Sequence, residues 1–382
     1  MYSISDFGHM IADEKRTDAY VAALQRAITA DTVVLDIGTG TGIFAMLACR
    51  FGARHVYAVE PGDEIHVARK IAHENGYADR ITFIQGLSTR VTLPERANVV
   101  ISDLHGVLPY FQVHLPSIMD ARQRHLAAGG ILIPQQDILW AAVVSAPVQY
   151  EEYVKPWVEN KYNLNMQAAC QIATNLWSRG KLKSEHFLVD PQSWATLDYM
   201  TITSPDVRAS LSWTAGQAGV AHGLSAWFDT KVAESICLSN APGLPELVYG
   251  HAFFPWTNPV MLAAGDEIRI LLQATLIGDD YVWRWDTRIL SQNDAGGVKA
   301  NFKQSTFHST LLSPAQLSKK TANYVAMLGE DGEIDRFILD MMDGNKPLRE
   351  IADALMESFP NHFTGWNDAL GRVGELSQQY SR

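Results

Sequence analysis

The string Val33-Val34-Leu35-Asp36-Ile37-Gly38-Thr39-Gly40-Thr41-Gly42 decides the fold. Its opening is β-branched and apolar apart from Asp36, which reads as a buried strand. The glycines that follow let the backbone turn sharply and come close to a ligand before a helix begins near Phe44. A second strand over residues 55–59 leads to Glu60, placed to accept hydrogen bonds from the two hydroxyls of a ribose. This layout suits an adenosine-bearing cofactor.

Two details choose among such cofactors. A dinucleotide site turns amides and a helix N-terminus toward a pyrophosphate, usually through GxGxxG. Here the pattern is GxGxG, with Ile43 in the last slot and Asp36 at the mouth. A carboxylate there would repel a pyrophosphate but attract the sulfonium and ammonium of S-adenosylmethionine. The expected cofactor is therefore S-adenosylmethionine, with Asp36, Gly38, Thr39, Gly40, Gly42 and Glu60 as its binding residues.

Working outward, helical spacing of Met10, Tyr20, Leu24, Ala27 and Ile28 precedes the motif. After it, helices alternate with strands over residues 81–85 and 98–102. A helix over residues 117–126 is expected to end at Gly129-Gly130, before a strand over 131–134. Strands separated by helices of this length imply parallel βαβ units. Beyond about residue 145 the texture changes. A helical insert over about 149–180 is followed by short alternating segments such as Ala226-Trp227-Phe228 and Tyr281-Val282-Trp283-Arg284-Trp285, divided by Gly, Pro and Asn, as in an antiparallel sandwich or barrel. From residue 331 the pattern is helical again. The expected domains are a Rossmann-like cofactor domain (1–145), an antiparallel β barrel carrying the insert (146–330) and a small helical domain (331–382).

The chain has 382 residues, 47% of them hydrophobic, which is enough for more than one core and excludes disorder. Its net charge of −11 argues against nucleic acid or an anionic membrane as partner, since both are bound through Lys and Arg. No run reaches the roughly 18 apolar residues of a membrane span, so a cytoplasmic protein is expected. Cys49, Cys170 and Cys237 fit neither a disulfide framework nor a metal spacing and read as buried thiols.

With these residues in view, the chain resembles the protein arginine methyltransferases over roughly residues 2–330. The likeness is carried by Phe7-Gly8-His9-Met10, Asp13 and Arg16, by residues 34–60, by 86–94, 102–112 and 126–134, and by Ala226-Trp227-Phe228-Asp229 and residues 250–256. The resemblance implies a Rossmann-like domain, a β barrel and a helical arm near Tyr162-Asn163-Leu164-Asn165-Met166 that makes a head-to-tail homodimer. It also implies that Arg16 pairs with the cofactor carboxylate, that Ser88 and Thr89 border the adenine, and that Met10 lies near the sulfonium.

The departures bear on the methyl acceptor. Where the family has two glutamates nine positions apart that clamp a guanidinium, this chain has Asp103 and Gln112; where it has Thr-His-Trp, this chain has Leu247-Val248-Tyr249. Arginine keeps its charge, so a buried site must compensate it. One anion in place of two leads to the expectation of an altered clamp and a less basic acceptor, a nitrogen before an oxygen or carbon, on a peptide side chain or an amino-acid-derived small molecule. A true arginine methyltransferase and a non-catalytic binding protein are the alternatives. His105 and His114, in or just after the same loop, are candidates for a proton acceptor or for supporting residues. Residues 331–382, with Phe337-Ile338-Leu339, Asp343-Gly344 and Leu348-Arg349-Glu350-Ile351-Ala352, resemble the small PqqD-like peptide-recognition domain. A plain helical tail has the same pattern.

Overall fold

A computed structural model describes residues 2–292, 297–311 and 313–381. It divides into two compact units, residues up to 310 and residues 311 onward. In the first, α1 (Ile4–Ala12) and α2 (Glu14–Ala27) precede the motif strand β1 (Val33–Ile37). Then follow α3 (Ile43–Arg50), β2 (His55–Glu60), α4 (Glu64–Glu74), β3 (Ile81–Gln85), β4 (Ala97–Ser102), α5 (His114–Arg124) and β5 (Leu126–Ile133). The five strands pair in parallel in the order β3-β2-β1-β4-β5. The chain thus leaves β1 for one side of the sheet and resumes at β4 on the other. The crevice past the ends of β1 and β4 is the switch point where open α/β sheets hold ligands.

Every residue of β1 is buried, as its apolar run requires. The next glycines take left-handed backbone, with φ of 71° at Gly38, 54° at Gly40 and 86° at Gly42. Side chains with a Cβ rarely adopt this conformation, which is why the turn is spelled in glycine. The expected helix end at Gly129-Gly130 is corrected: α5 stops at Arg124, and both glycines lie within β5. A glycine pair can sit in a partly exposed strand as well as stop a helix.

A second set of strands begins at β6 (Gln136–Val144). It is followed by α6 (Pro147–Val158), α7 (Gln167–Ala173), β7 (Ser178–Gly180), β8 (Gln192–Asp198), β9 (Val207–Thr214) and β10 (Gly219–Ala233). Five more strands complete it: β11 (Ile236–Ser239), β12 (His251–Leu262), β13 (Glu267–Ile277), β14 (Asp280–Leu290) and β15 (Val298–Phe302). They form two antiparallel sheets, β7-β12-β10-β6-β8 with β11 beside β10, and β15-β14-β13-β9. The expected closed barrel is therefore corrected to two sheets packed on each other. No ladder of hydrogen bonds joins one sheet to the other among the described residues; side chains such as Trp256, Trp283 and Trp285, all fully buried, fill the space between. One continuous core runs from the parallel sheet into this region. Cys49 and Cys170 are buried, whereas Cys237 is exposed, contrary to the expected buried thiol.

The second unit holds α8 (Pro314–Ser318), α9 (Glu330–Met341), α10 (Leu348–Ser358) and α11 (Trp366–Tyr380). Ile334, Ile338, Ile351, Leu355, Val373 and Leu376 form its small core, and Arg372 pairs with Asp335 at 2.7 Å.

Candidate active site

The Gly-rich turn is fixed from both ends. The amides of Gly38 and Thr39 donate to the Val59 carbonyl, at 2.9 and 3.1 Å. The Glu60 carboxylate accepts from the Gly40 amide and the Gly62 amide, each at 3.0 Å. Glu60 is buried, and burial raises its pKa against these two hydrogen bonds. Its remaining lone pairs are free to meet ribose hydroxyls. Asp36 is almost fully buried and accepts from the Thr39 hydroxyl at 2.5 Å. Burial pushes its carboxyl up to about 7 in spite of that bond. A cationic group placed beside Asp36 would restore the charged form.

These features fit S-adenosylmethionine. A Cβ added at Gly40 would fall on the Phe7 ring of α1, and one at Gly38 on Leu104, so both glycines lie on the floor of a narrow cradle. Helix α1 buries none of its own residues and lies over the turn through Phe7. Ser88 is buried in a short helical turn and its carbonyl accepts from Arg124 at 3.0 Å, whereas Thr89 beside it is exposed. Met10 contributes its carbonyl, which accepts from Arg16 Nη1 at 3.0 Å.

Past the end of β4, Asp103 is the hub of a buried charged cluster. Arg16 Nε donates to Asp103 Oδ2 at 2.6 Å, and its Nη2 pairs with the same oxygen. The Tyr249 hydroxyl lies 2.7 and 2.9 Å from the two carboxylate oxygens, and Arg16 Nε also reaches it at 3.2 Å. The guanidinium lies beside the stacked rings of Tyr20 and Phe44, 5.7 and 5.5 Å from their centres. Burial alone would raise the Asp103 carboxyl. The Arg16 guanidinium, with His105 and Tyr249, instead holds it well below the usual carboxylate range. Arg16, expected to meet the cofactor carboxylate, thus meets a carboxylate of the chain itself.

His105 continues the cluster inward. Its Nδ1 lies 3.2 Å from Asp103 Oδ1 and its Nε2 2.8 Å from Asp137 Oδ2. An ionised carboxylate only accepts, so both ring nitrogens carry protons and the imidazole is cationic. Burial opposes this, yet Asp137 and Asp103 raise its pKa to about 10. His114 behaves oppositely. Burial and the neighbouring His105 cation push it down to about 3, and its Nε2 lies 3.1 Å from the Tyr199 hydroxyl. The structure brings Asp103, His105 and His114 together but not Gln112, which is exposed, takes a φ of 42° and makes no hydrogen bond among those described.

Sequence reasoning missed Asp137, Tyr199 and the hydroxyl of Tyr249. Asp137 is fully buried on β6, paired across the ladder with Thr230 on β10, whose hydroxyl donates to it at 2.6 Å. A lone acid in the apolar strand Gln136–Val144 was the available signal. The histidine absent at Val248 is replaced by backbone: the Val248 amide donates to Asp13 Oδ2 at 2.7 Å, while Asp13 Oδ1 caps α2 through the Arg16 amide at 3.1 Å.

Two family models match the chain. Residues 13–156 match ribosomal protein L11 methyltransferase (PrmA), and residues 135–276 match the arginine methyltransferase oligomerization subdomain. Among curated relatives, protein arginine N-methyltransferase 2 of Mus musculus is 32% identical over 277 residues, 68% of this chain and 61% of the relative. The Homo sapiens protein of the same name is 30% identical over 293 residues, 72% of this chain and 66% of the relative. The chain thus spans about three fifths of the length of the first of these relatives and about two thirds of the second. Two solved structures share the fold at 21% identity. The Trypanosoma brucei PRMT1 enzyme-prozyme heterotetrameric complex with AdoHcy has a TM-score of 0.70, covering 78% of this chain and 96% of that one. Protein arginine methyltransferase 10 of Arabidopsis thaliana has a TM-score of 0.69, covering 79% and 97%.

Proposed function

From the arginine-methyltransferase-like, class I S-adenosylmethionine-dependent fold of this chain, we propose that it transfers a methyl group to a side-chain nitrogen of a protein or peptide. The observation that carries the proposal is an Asp103 carboxylate whose side chain is buried, one loop away from the cofactor turn, at the switch point of the sheet. When bound, S-adenosylmethionine supplies an electrophilic methyl group. Glu60 and the Gly-rich turn hold the adenosine, and Asp36 offsets the cationic end. Asp103, kept ionised and oriented by Arg16, His105 and Tyr249, accepts a hydrogen bond from the acceptor and directs its lone pair. Most of the rate comes from this positioning, since an in-line displacement needs little else.

The names of the relatives favour an arginine guanidinium as the acceptor over the altered clamp expected from sequence. A less basic nitrogen is the second reading, supported by one observation: Arg16 and His105 already match the charges of Asp103 and Asp137, and Gln112 adds none. Incubation with labelled S-adenosylmethionine and arginine-rich peptides, read by mass spectrometry, separates the two. Methylated arginine is expected. Turnover with cell extract but never on arginine would establish the second reading, and no S-adenosylhomocysteine with any acceptor would refute both.

The chain is further proposed to act as a homodimer. The insert exposes Val148, Val158, Tyr162 and Leu164, four large apolar side chains within seventeen residues, which is the kind of patch a partner covers. Sedimentation equilibrium is expected to give a dimer that Leu164→Asp converts to monomer. A monomeric wild type would contradict it. Among the described residues no helix is long and apolar enough to cross a membrane, and three unpaired cysteines suit the reducing cytoplasm.

A further inference from the structure

Behind the acceptor loop, four polar atoms converge on one point. His105 Nε2 lies 2.8 Å from Asp137 Oδ2 and 3.5 Å from the Tyr199 hydroxyl. That hydroxyl lies 3.1 Å from His114 Nε2 and also donates to Asp137 Oδ2. One donor atom each of His105, His114 and Asp137 fall within 4.8 Å of one another. Donors held tetrahedrally at ~2.0–2.1 Å from a zinc ion stand about 3.3 Å apart. Three of the separations, 2.8, 3.1 and 3.5 Å, lie around that edge, while the Tyr199 hydroxyl stands closer to Asp137 Oδ2, at hydrogen-bond contact.

The surroundings also match. A histidine that ligates a metal donates its other N–H to a carboxylate, and a ligating carboxylate is itself hydrogen-bonded. His105 Nδ1 faces Asp103 Oδ1 at 3.2 Å, and the second oxygen of Asp137 accepts from Thr230 at 2.6 Å. His114 differs, since its Nδ1 is buried without a hydrogen-bond partner among the described residues, and it meets the cluster only through Nε2. All four residues are buried, in a core without room for an unmatched charge.

We propose that His105, His114 and Asp137, with Tyr199 at the fourth position, bind one zinc ion. Binding replaces two protons: the Nε2 proton of His105 and the hydroxyl proton of Tyr199 leave for solvent. The cluster begins with His105 cationic and Asp137 anionic, a sum of zero. It ends with a divalent ion, the Asp137 carboxylate and the Tyr199 phenolate, again zero. The exchange puts no new net charge into the core, which is the condition a buried ion has to meet. With four protein ligands the site is closed, so the ion is structural. It ties together the loop after β4, the start of α5, β6 and the end of β8, and it keeps the Nδ1 proton of His105 on Asp103.

The test uses the untagged full chain. After dialysis against metal-free buffer, elemental analysis is expected to find about one zinc per chain. After chelation, titration with cobalt(II) is expected to produce the visible d–d absorption of a tetrahedral site, saturating at one equivalent. His114→Ala is expected to lower zinc occupancy roughly tenfold or more. His125→Ala, which removes a buried histidine outside the cluster, is expected to leave it unchanged. If His114→Ala does not fold, the wild-type cobalt titration decides alone. A folded wild type that takes up no zinc and gives a featureless cobalt spectrum would show a hydrogen-bonded network only. Full zinc retention by folded His114→Ala would overturn the ligand set.

Discussion

Gly40→Val is expected to lower S-adenosylmethionine affinity by at least about 100-fold, a loss of ~2.8 kcal/mol, while the chain stays folded. Two physical effects act in the same direction. Gly40 takes a φ of 54°, which a β-branched residue adopts only at a cost of about 1–2 kcal/mol. The new side chain would also fall on Phe7, in the cradle that the adenosine needs. Refolding of the turn to relieve either effect would withdraw the Gly40 amide from Glu60 and so loosen the carboxylate that meets the ribose. Calorimetric titration reads the affinity, and circular dichroism the fold. Glu60→Gln is the companion variant, since it keeps the shape and removes the charge, and a loss of about 10-fold or more is expected from weakened hydrogen bonds. Wild-type affinity in both variants would remove the cofactor assignment.

The cofactor half of the site was legible in sequence because its requirements are local. A left-handed backbone at residues 38, 40 and 42 shows directly as glycine, and the strand before it shows as Val33-Val34-Leu35. The acceptor half was only partly legible. Asp103, His105 and His114 share one stretch of chain, but their partners do not: Arg16 lies 87 residues from Asp103, Asp137 lies 32 from His105, and Tyr249 lies 146 from Asp103. Arg16 reaches Asp103 from α2, while Asp137 and Tyr249 come from the region of the second set of strands, so only the folded chain brings these groups together. Gln112 is the opposite case, since its place in a motif says nothing of a backbone that leaves it exposed. Barrel closure was misjudged for a related reason. Alternation along β13 and β14 reveals which residues face inward, not whether the edge strands of two sheets join.

Asp103→Asn is expected to be the more damaging of the two substitutions, because it strikes folding and chemistry together. The carboxylate neutralises Arg16 and, with Asp137, the cationic His105, all of them buried. Replacing it by an amide leaves two cations against one anion in the core. Loss of one member of a buried ion pair costs about 3–5 kcal/mol, since the charge left behind cannot be resolvated. An amide would also present N–H donors to Arg16 or to His105, where only an acceptor fits. Urea unfolding is therefore expected to show that loss in the variant. Methyl transfer measured where the variant remains folded is expected to fall by at least about 100-fold, through loss of the group that orients the acceptor. Asp103→Glu restores the charge with a longer stem, so it is expected to recover stability more fully than turnover. Equal stability of Asp103→Asn and wild type would mean that Arg16 finds another anion.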